Sequence, residues 1–124
     1  MNKLQNNKYD LEEKTTVFAE NIIDYIKEVK RDRLNEPILI QLIRSASSVG
    51  ANYCEAIGAS SRKDFRNKIY ICKKEVQETK YWLRMMARMH PESKDRLRKF
   101  WVEAQDLTLI FTKIVSTINK NDIG

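Results

Sequence analysis

The sequence predicts an all-α domain, four antiparallel helices in an up-down-up-down bundle, and three observations carry that expectation. Apolar residues recur at spacings of three and four in four separate stretches. The breaks between those stretches are short, which makes consecutive helices antiparallel neighbours. Only three glycines and two prolines occur in 124 residues, too few turn residues for an all-β fold. The balance of 42% apolar and 32% charged residues suits one modest core. A single domain, 1–124, is expected, with helices over about 11–33, 37–58, 62–89 and 92–119. No run of about 18 apolar residues suggests a membrane span, and the polar start MNKLQNNKYDLEEK lacks an apolar signal core. A cytoplasmic protein is the expectation.

Residues 1–9 read as a loose tail. Leu11, Thr15, Phe18, Ile22, Tyr25 and Val29, with Ile26 beside them, then form the apolar stripe of the first helix. Glu12 and Glu13 in its first turn and Lys30, Arg31 and Arg33 in its last complement the helix dipole. The chain should turn near Leu34–Asn35. Pro37 fits the first turn of a second helix, where its missing amide hydrogen costs nothing. Leu39, Leu42 or Ile43, Ala46, Val49 or Gly50, Tyr53 and Ile57 give that helix a buried face, and Ile38 and Ile40 hint at a second contact surface. Its centre, Ser45 to Ser48 with Gly50 and Ala51, is small enough for another helix backbone to approach closely. Such packing would offset the roughly 1 kcal/mol that Gly50 costs relative to alanine.

Gly58 to Ser61 ends the second helix, and Ser61 followed by Asp64 resembles a capping box that opens the third. Phe65, Ile69, Cys72, Val76, Thr79, Leu83 and Met86 alternate at four and three, the pattern of a bundle seam. Ile71, Trp82, Met85 and Met89 widen the stripe beyond what one antiparallel neighbour consumes, so a further helix or another subunit should cover the rest. After the break His90–Ser93, Leu97, Phe100, Ala104, Leu107, Phe111, Ile114 and Ile118 line a fourth helix, flanked by Trp101, Ile110 and Val115. Cys54 and Cys72 read as buried thiols packing as small apolar groups.

The second helix also carries a polar line, Arg44, Ser48, Asn52 and Glu55, on one face. Long charged residues usually dominate a solvated face, so this line reads as a semi-buried polar seam. If helices two and three pack antiparallel, facing residues have numbers totalling about 121. That register sets Arg44 opposite Glu78, Ser48 opposite Lys74 or Glu75, Asn52 near Tyr70, and Glu55 near Arg66 or Lys68. The Arg44–Glu78 pair is its sharpest test. A partly buried pair of this kind favours one alignment more than it adds stability.

The net charge of +6 is unevenly spread. Residues 1–58 hold eight lysines and arginines against nine acids, whereas the remainder holds fifteen against eight. A basic face fits a polyanionic partner and equally fits solvated lysines on helix surfaces. The nucleic-acid candidates are Arg62, Lys63, Arg66, Lys68, Lys73, Lys74, Lys80, Arg84 and Arg88, with Lys94, Arg96, Arg98 and Lys99 as a second group. Spread over helix faces, they would contact phosphate, with modest sequence selectivity and strong salt dependence. Tyr81, Trp82 and Trp101 could stack bases, but their places beside the seams assign them to core or subunit burial.

Catalytic signatures are lacking: there is no glycine-rich phosphate loop, no GxSxG elbow and no HExxH helix. His90, the single histidine, sits beside a proline in a loop and reads as a surface residue. With no CxxC pair and one histidine, no zinc ligand set exists, and no cofactor is expected. Glu55, Glu75 and Glu78 could gather as an acid cluster, but Arg44, Lys73 and Lys74 nearby assign them to salt bridges.

Three segments, QLIRSASSVGANYCEA (Gln41–Ala56), SSRKDF (Ser60–Phe65) and KKEVQETKYWL (Lys73–Leu83), carry a family resemblance. They resemble the four-helix-bundle family that includes proteins encoded in intervening sequences of 23S rRNA genes. Glu55–Gly58 is similar to one branch of that family's helix-ending stretch, and the outer helices agree in pattern only. More distantly, the chain is similar to the accessory protein of diversity-generating retroelements, a basic pentameric barrel that binds nucleic acid and a reverse transcriptase. The resemblance implies a left-handed bundle assembling as a cyclic homopentamer. Residues and resemblance together lead to a non-catalytic oligomer that binds RNA or DNA mainly through phosphate. The alternative is a protein-interaction scaffold. The two separate on whether the basic residues converge on one accessible surface or scatter into intrachain pairs.

Overall fold

The computed structural model describes residues 3–123, and the side chains of residues 11–121. Four helices make up the chain: α1 (Lys3–Glu28), α2 (Glu36–Ile57), α3 (Arg62–Met89) and α4 (Lys94–Ile123). A single 3-10 turn, Pro91–Ser93, leads into α4, and no strand occurs among the described residues. α1 begins at Lys3, inside the stretch read as a tail, where neither glycine nor proline interrupts a helix.

α1 stops at Glu28, five residues before its expected end. The reason is a local competition for backbone groups. Asp32 Oδ1 accepts from the backbone N–H of Leu34 and Asn35, at 2.9 and 2.8 Å. Asn35 Oδ1 accepts from Asp32 N–H at 2.9 Å, and its Nδ2 donates to Lys30 O at 3.0 Å. Short polar side chains offer the backbone a turn in place of helix. Pro37 then lies in the first turn of α2 as expected. Ser61, with extended backbone, accepts from Asp64 N–H at 3.0 Å and starts α3.

The stripes read from the sequence meet in one core, from Phe18 and Ile22 of α1 through Leu42 and Val49 of α2 and Val76 and Leu83 of α3 to Leu107 and Phe111 of α4. α3 packs most extensively on α2 and next on α4, while α1 and α4 approach each other least. Of the residues that widen the α3 stripe, Trp82 packs against the core, whereas Ile71, Met85 and Met89 stay half-buried on the flank of Glu75 and Glu78, away from α4. At Gly50 a Cβ would stand 3.3 Å from Thr15 Oγ1, so the small centre of α2 serves a close approach of α1. α2 and α3 run in opposite directions, with Glu55 near Lys68, Val49 at Cys72, Ser45 at Thr79 and Arg44 at Glu78.

Candidate functional site

α3 has two unlike flanks. At 3.6 residues per turn, its acids Asp64, Glu75 and Glu78 project on the side of α2. Lys63, Arg66, Lys73, Lys80, Arg84 and Arg88 fall within about 100° of arc on the side of α4.

The α2 flank is closed by paired groups. Arg44 Nη1 donates to Glu75 Oε2 at 3.2 Å, and Nη2 forms an ion pair with Glu78 Oε2. Desolvation pulls the Arg44 guanidinium down, but the two carboxylates outweigh it and hold its pKa above the ordinary value. Trp82 Nε1 donates to Glu78 Oε2 at 3.3 Å, which fixes the indole along the seam. The predicted register holds at Arg44–Glu78, and Lys68 Nζ lies 3.7 Å from Glu55 Oε2. Ser48 and Asn52 are half-buried and bond to their own helix, Ser48 to Arg44 O and Asn52 to Ser48 O. The polar contact that crosses the seam in the interior is instead Ser45 with Thr79, whose buried hydroxyls stand 2.9 Å apart. Sequence reading grouped Ser45 with small packing residues and Thr79 with the apolar stripe. Their facing positions in the register were the available signal.

Lys73 and Lys74 do not neutralise the acid cluster: Lys73 is turned to the α4 side, and Lys74 projects outwards one turn before Glu78 without pairing to it. Among the described residues neither makes an ion pair, nor do Lys63, Arg84, Arg88, Lys94, Arg98 and Lys99. Arg66 Nη1 reaches Asn119 Oδ1 at 3.4 Å, Arg62 is exposed at the start of α3, and Lys68 is drawn to the opposite flank by Glu55. Lys80 donates to Gln105 Oε1, with its ammonium 4.5 Å from the Trp101 ring centroid. Arg96 is taken by α1: it pairs with Glu28 at 2.6 Å, which holds that carboxyl below its usual range, and lies over the Tyr25 ring.

Towards the loop end of α3 and α4, the helices leave a groove of about 450 Å³. Leu83, Ala87 and Leu97 floor it, and Arg84, Lys94, Arg98, Trp101 and Val102 wall it. A second hollow continues it past Arg88 to Pro91. No acid lines either. The structure thus brings Arg84 and Arg88 together with Lys94 and Arg98, and leaves Arg62, Lys63, Lys73 and Lys74 along the same outer side of α3. Trp101 and Tyr81, assigned by sequence to burial, are 38% and 53% exposed, whereas Trp82 is half-buried against the core.

His90 is not a free surface residue. Asn35 Nδ2 meets its Nε2 at 3.0 Å, and Nδ1 lies 2.9 Å from Glu92 Oε1. Asn35 uses Nδ2 as a donor, so Nε2 accepts and Nδ1 carries the proton it donates to Glu92. This side chain ties the α1–α2 and α3–α4 loops together at one end of the bundle. Cys72 is buried as expected, its thiol pushed up to about 12 by desolvation, but Cys54 is exposed. No group of three metal-binding side chains occurs among the described residues, and no described helix is long and apolar enough to cross a membrane.

The family model of the 23S rRNA-intervening sequence protein matches residues 7–113. Among solved structures, the chain is similar to a protein of unknown function from the S23 ribosomal protein family of Bacteroides thetaiotaomicron. The two are 30% identical with a TM-score of 0.75, and the match covers 84% of this chain and 96% of that one. No curated protein matches.

Proposed function

The chain belongs to the 23S rRNA-intervening sequence protein family, and on that premise we propose that it is a non-catalytic helical bundle that binds RNA or DNA through phosphate. The observation that carries this reading is the segregation of charge on α3. Its acids are turned towards α2, two of them tied by Arg44, while Lys63, Lys73, Arg84 and Arg88 line the other flank and Lys74 the outer face, none of them in an ion pair. Intrachain pairing would have scattered those cations; unpaired, they offer a polyanion a continuous positive strip. Binding of this kind is electrostatic and falls steeply with salt.

Self-assembly belongs to the same proposal. Ile40, Ile43 and Leu109 are exposed on the outer faces of α2 and α4, and burial between copies would remove them from water. A left-handed bundle in a cyclic homo-oligomer, a pentamer by the resemblance, multiplies weak phosphate contacts through effective concentration. The protein acts in the cytoplasm in this reading. The second reading, a scaffold for another protein, draws on the same exposed apolar residues.

The test is titration of labelled structured RNA and duplex DNA across a salt series, with mass measured in the same buffer. Micromolar or tighter binding at low salt, by a species of several subunits, is the expected result. The double variant Lys73→Glu/Lys74→Glu should flatten the salt slope and leave the mass unchanged. An intact oligomer that binds neither nucleic acid at low salt would give the scaffold reading precedence.

A further inference from the structure

We infer that the groove between the C-terminal half of α3 and the N-terminal half of α4 takes unpaired, single-stranded nucleic acid, with a nucleobase against Trp101 and phosphates on Arg84, Arg88, Lys94 and Arg98. The inference rests on the nucleic-acid reading above and deepens it by naming the class of strand and the place it lies.

Charge excludes most other occupants. Four cations and no acid line the groove and its continuation, so the ligand is an anion. A bare polyanion would need only an exposed basic rim, yet the floor here is apolar, reaching Leu83 and Leu97 of the core. The groove therefore fits a molecule with regularly spaced negative charges and flat apolar faces between them. A duplex hides the flat faces of its bases by stacking and presents phosphate and base edges, whereas an unstacked strand presents phosphate and base faces together.

The aromatic wall is built to suit. Lys80 holds its ammonium on the Trp101 ring, 4.5 Å from the centroid, and Gln105 anchors that lysine. The indole is thus steadied, and the part left exposed opens on the groove. Arg84 and Arg88 are one helical turn apart on α3, as are Lys94 and Arg98 on α4, an axial step of about 6 Å. Each pair follows the repeat of an extended nucleotide backbone along its own side of the groove. A volume of about 450 Å³ is room for a nucleoside and its phosphate.

The experiment compares three probes on the full chain: a labelled oligouridylate of twelve nucleotides, a duplex of equal length, and heparin as a polyanion without bases. The strand is expected to bind about tenfold more tightly than the duplex at equal salt. Trp101→Leu should lose about tenfold on the strand, with heparin affinity and salt slope unchanged. Arg84→Ala with Arg98→Ala should lower the salt slope by about two on the strand. Val102→Glu, at the half-exposed rim, provides an independent block that does not disturb the indole. Equal binding of strand and duplex, with Trp101→Leu and Val102→Glu neutral, overturns the groove assignment and leaves phosphate binding elsewhere on α3. Failure of all three probes at low salt removes the nucleic-acid reading itself and points to a protein occupant.

Discussion

The two flanks of α3 are made from similar residues and do opposite things. Against α2, the central charged groups meet facing partners: Arg44 with Glu75 and Glu78, Glu55 with Lys68, and inside them the hydroxyls of Ser45 and Thr79. Against α4, the facing residues at the loop end are Leu97, Trp101 and Val102, and Arg84 and Arg98 stand around a groove with no acid to meet. Ser45, Ala46 and Val49 are small, so α2 lies close enough to α3 for Cys72 Sγ to reach Val49 O at 3.5 Å. On the α4 side the Trp101 indole stands 38% exposed at the wall of the groove instead of filling the seam. A polar side chain on a helix is therefore structural or available according to what the next helix places opposite it.

The largest test of this contrast is steric. Thr79 is fully buried on the closed flank, so Thr79→Leu should overpack the seam and remove the Thr79–Ser45 hydrogen bond, at about 3 kcal/mol. Arg84→Leu, the same kind of exchange on the open flank, should cost less than about 0.5 kcal/mol. Urea midpoints at unchanged m-value measure both. Comparable losses would mean that the α4 flank is as tightly packed as the α2 flank.

Next in size is the tie between the loops that bounds both flanks. Asn35 is 1% exposed and bonded to Asp32, Lys30 and His90. Asn35→Ala leaves buried backbone groups without partners and should cost about 2 kcal/mol. Amide exchange should accelerate at both loops and not at the far end of the bundle. Acceleration confined to the α1–α2 loop would show that His90 carries no coupling between them.

Arg44→Ala comes lower still. The guanidinium is 44% exposed, so the pair is screened by solvent and should contribute at most about 1 kcal/mol, shrinking as salt rises. Its larger role is register. Glu78→Lys would set like charges face to face, and a loss in 1 M salt as large as in 0.05 M would exclude repulsion as the cause.

How much of this could be read in the sequence differed by flank. The four stripes specified the helices because a 3.6-residue period is intrinsic to each segment, and Arg44–Glu78 was legible because an antiparallel hairpin fixes facing residues arithmetically. The groove was not legible. Whether two helices close or gape depends on the volume of side chains meeting across the seam, and Trp101 carries the same apolar label as Leu97 in a periodic pattern. For the same reason periodicity assigned Trp101 and Tyr81 to core or subunit burial, and within the chain they are exposed. The early end of α1 escaped because Asp32 and Asn35 act through backbone bonds to each other, a local competition that apolar periodicity does not register. His90 escaped because its partner, Asn35, is 55 residues away in sequence.

The smallest effect is carried by the two thiols, which sample the buried and the exposed side of the hairpin. Cys54 should react with a maleimide in the native protein, and Cys72 only on unfolding. Burial raises the Cys72 pKa from 9.0 to about 12. Above pH 9 the unfolded chain therefore loses a proton that the native chain keeps, and the native state loses stability as pH rises from 9 towards 12. One pH unit within that window corresponds to about 1.4 kcal/mol at most for a single thiol. Lysines and tyrosines titrate there too, so the quantity to measure is the difference between the native sequence and Cys72→Ala. The alanine variant loses packing at every pH but is spared the ionisation, so its deficit at pH 8 should narrow by about 1 kcal/mol at pH 10. A constant deficit would mean that the thiol ionises in place, and that water reaches the α2–α3 seam as freely as it reaches the groove on the other flank.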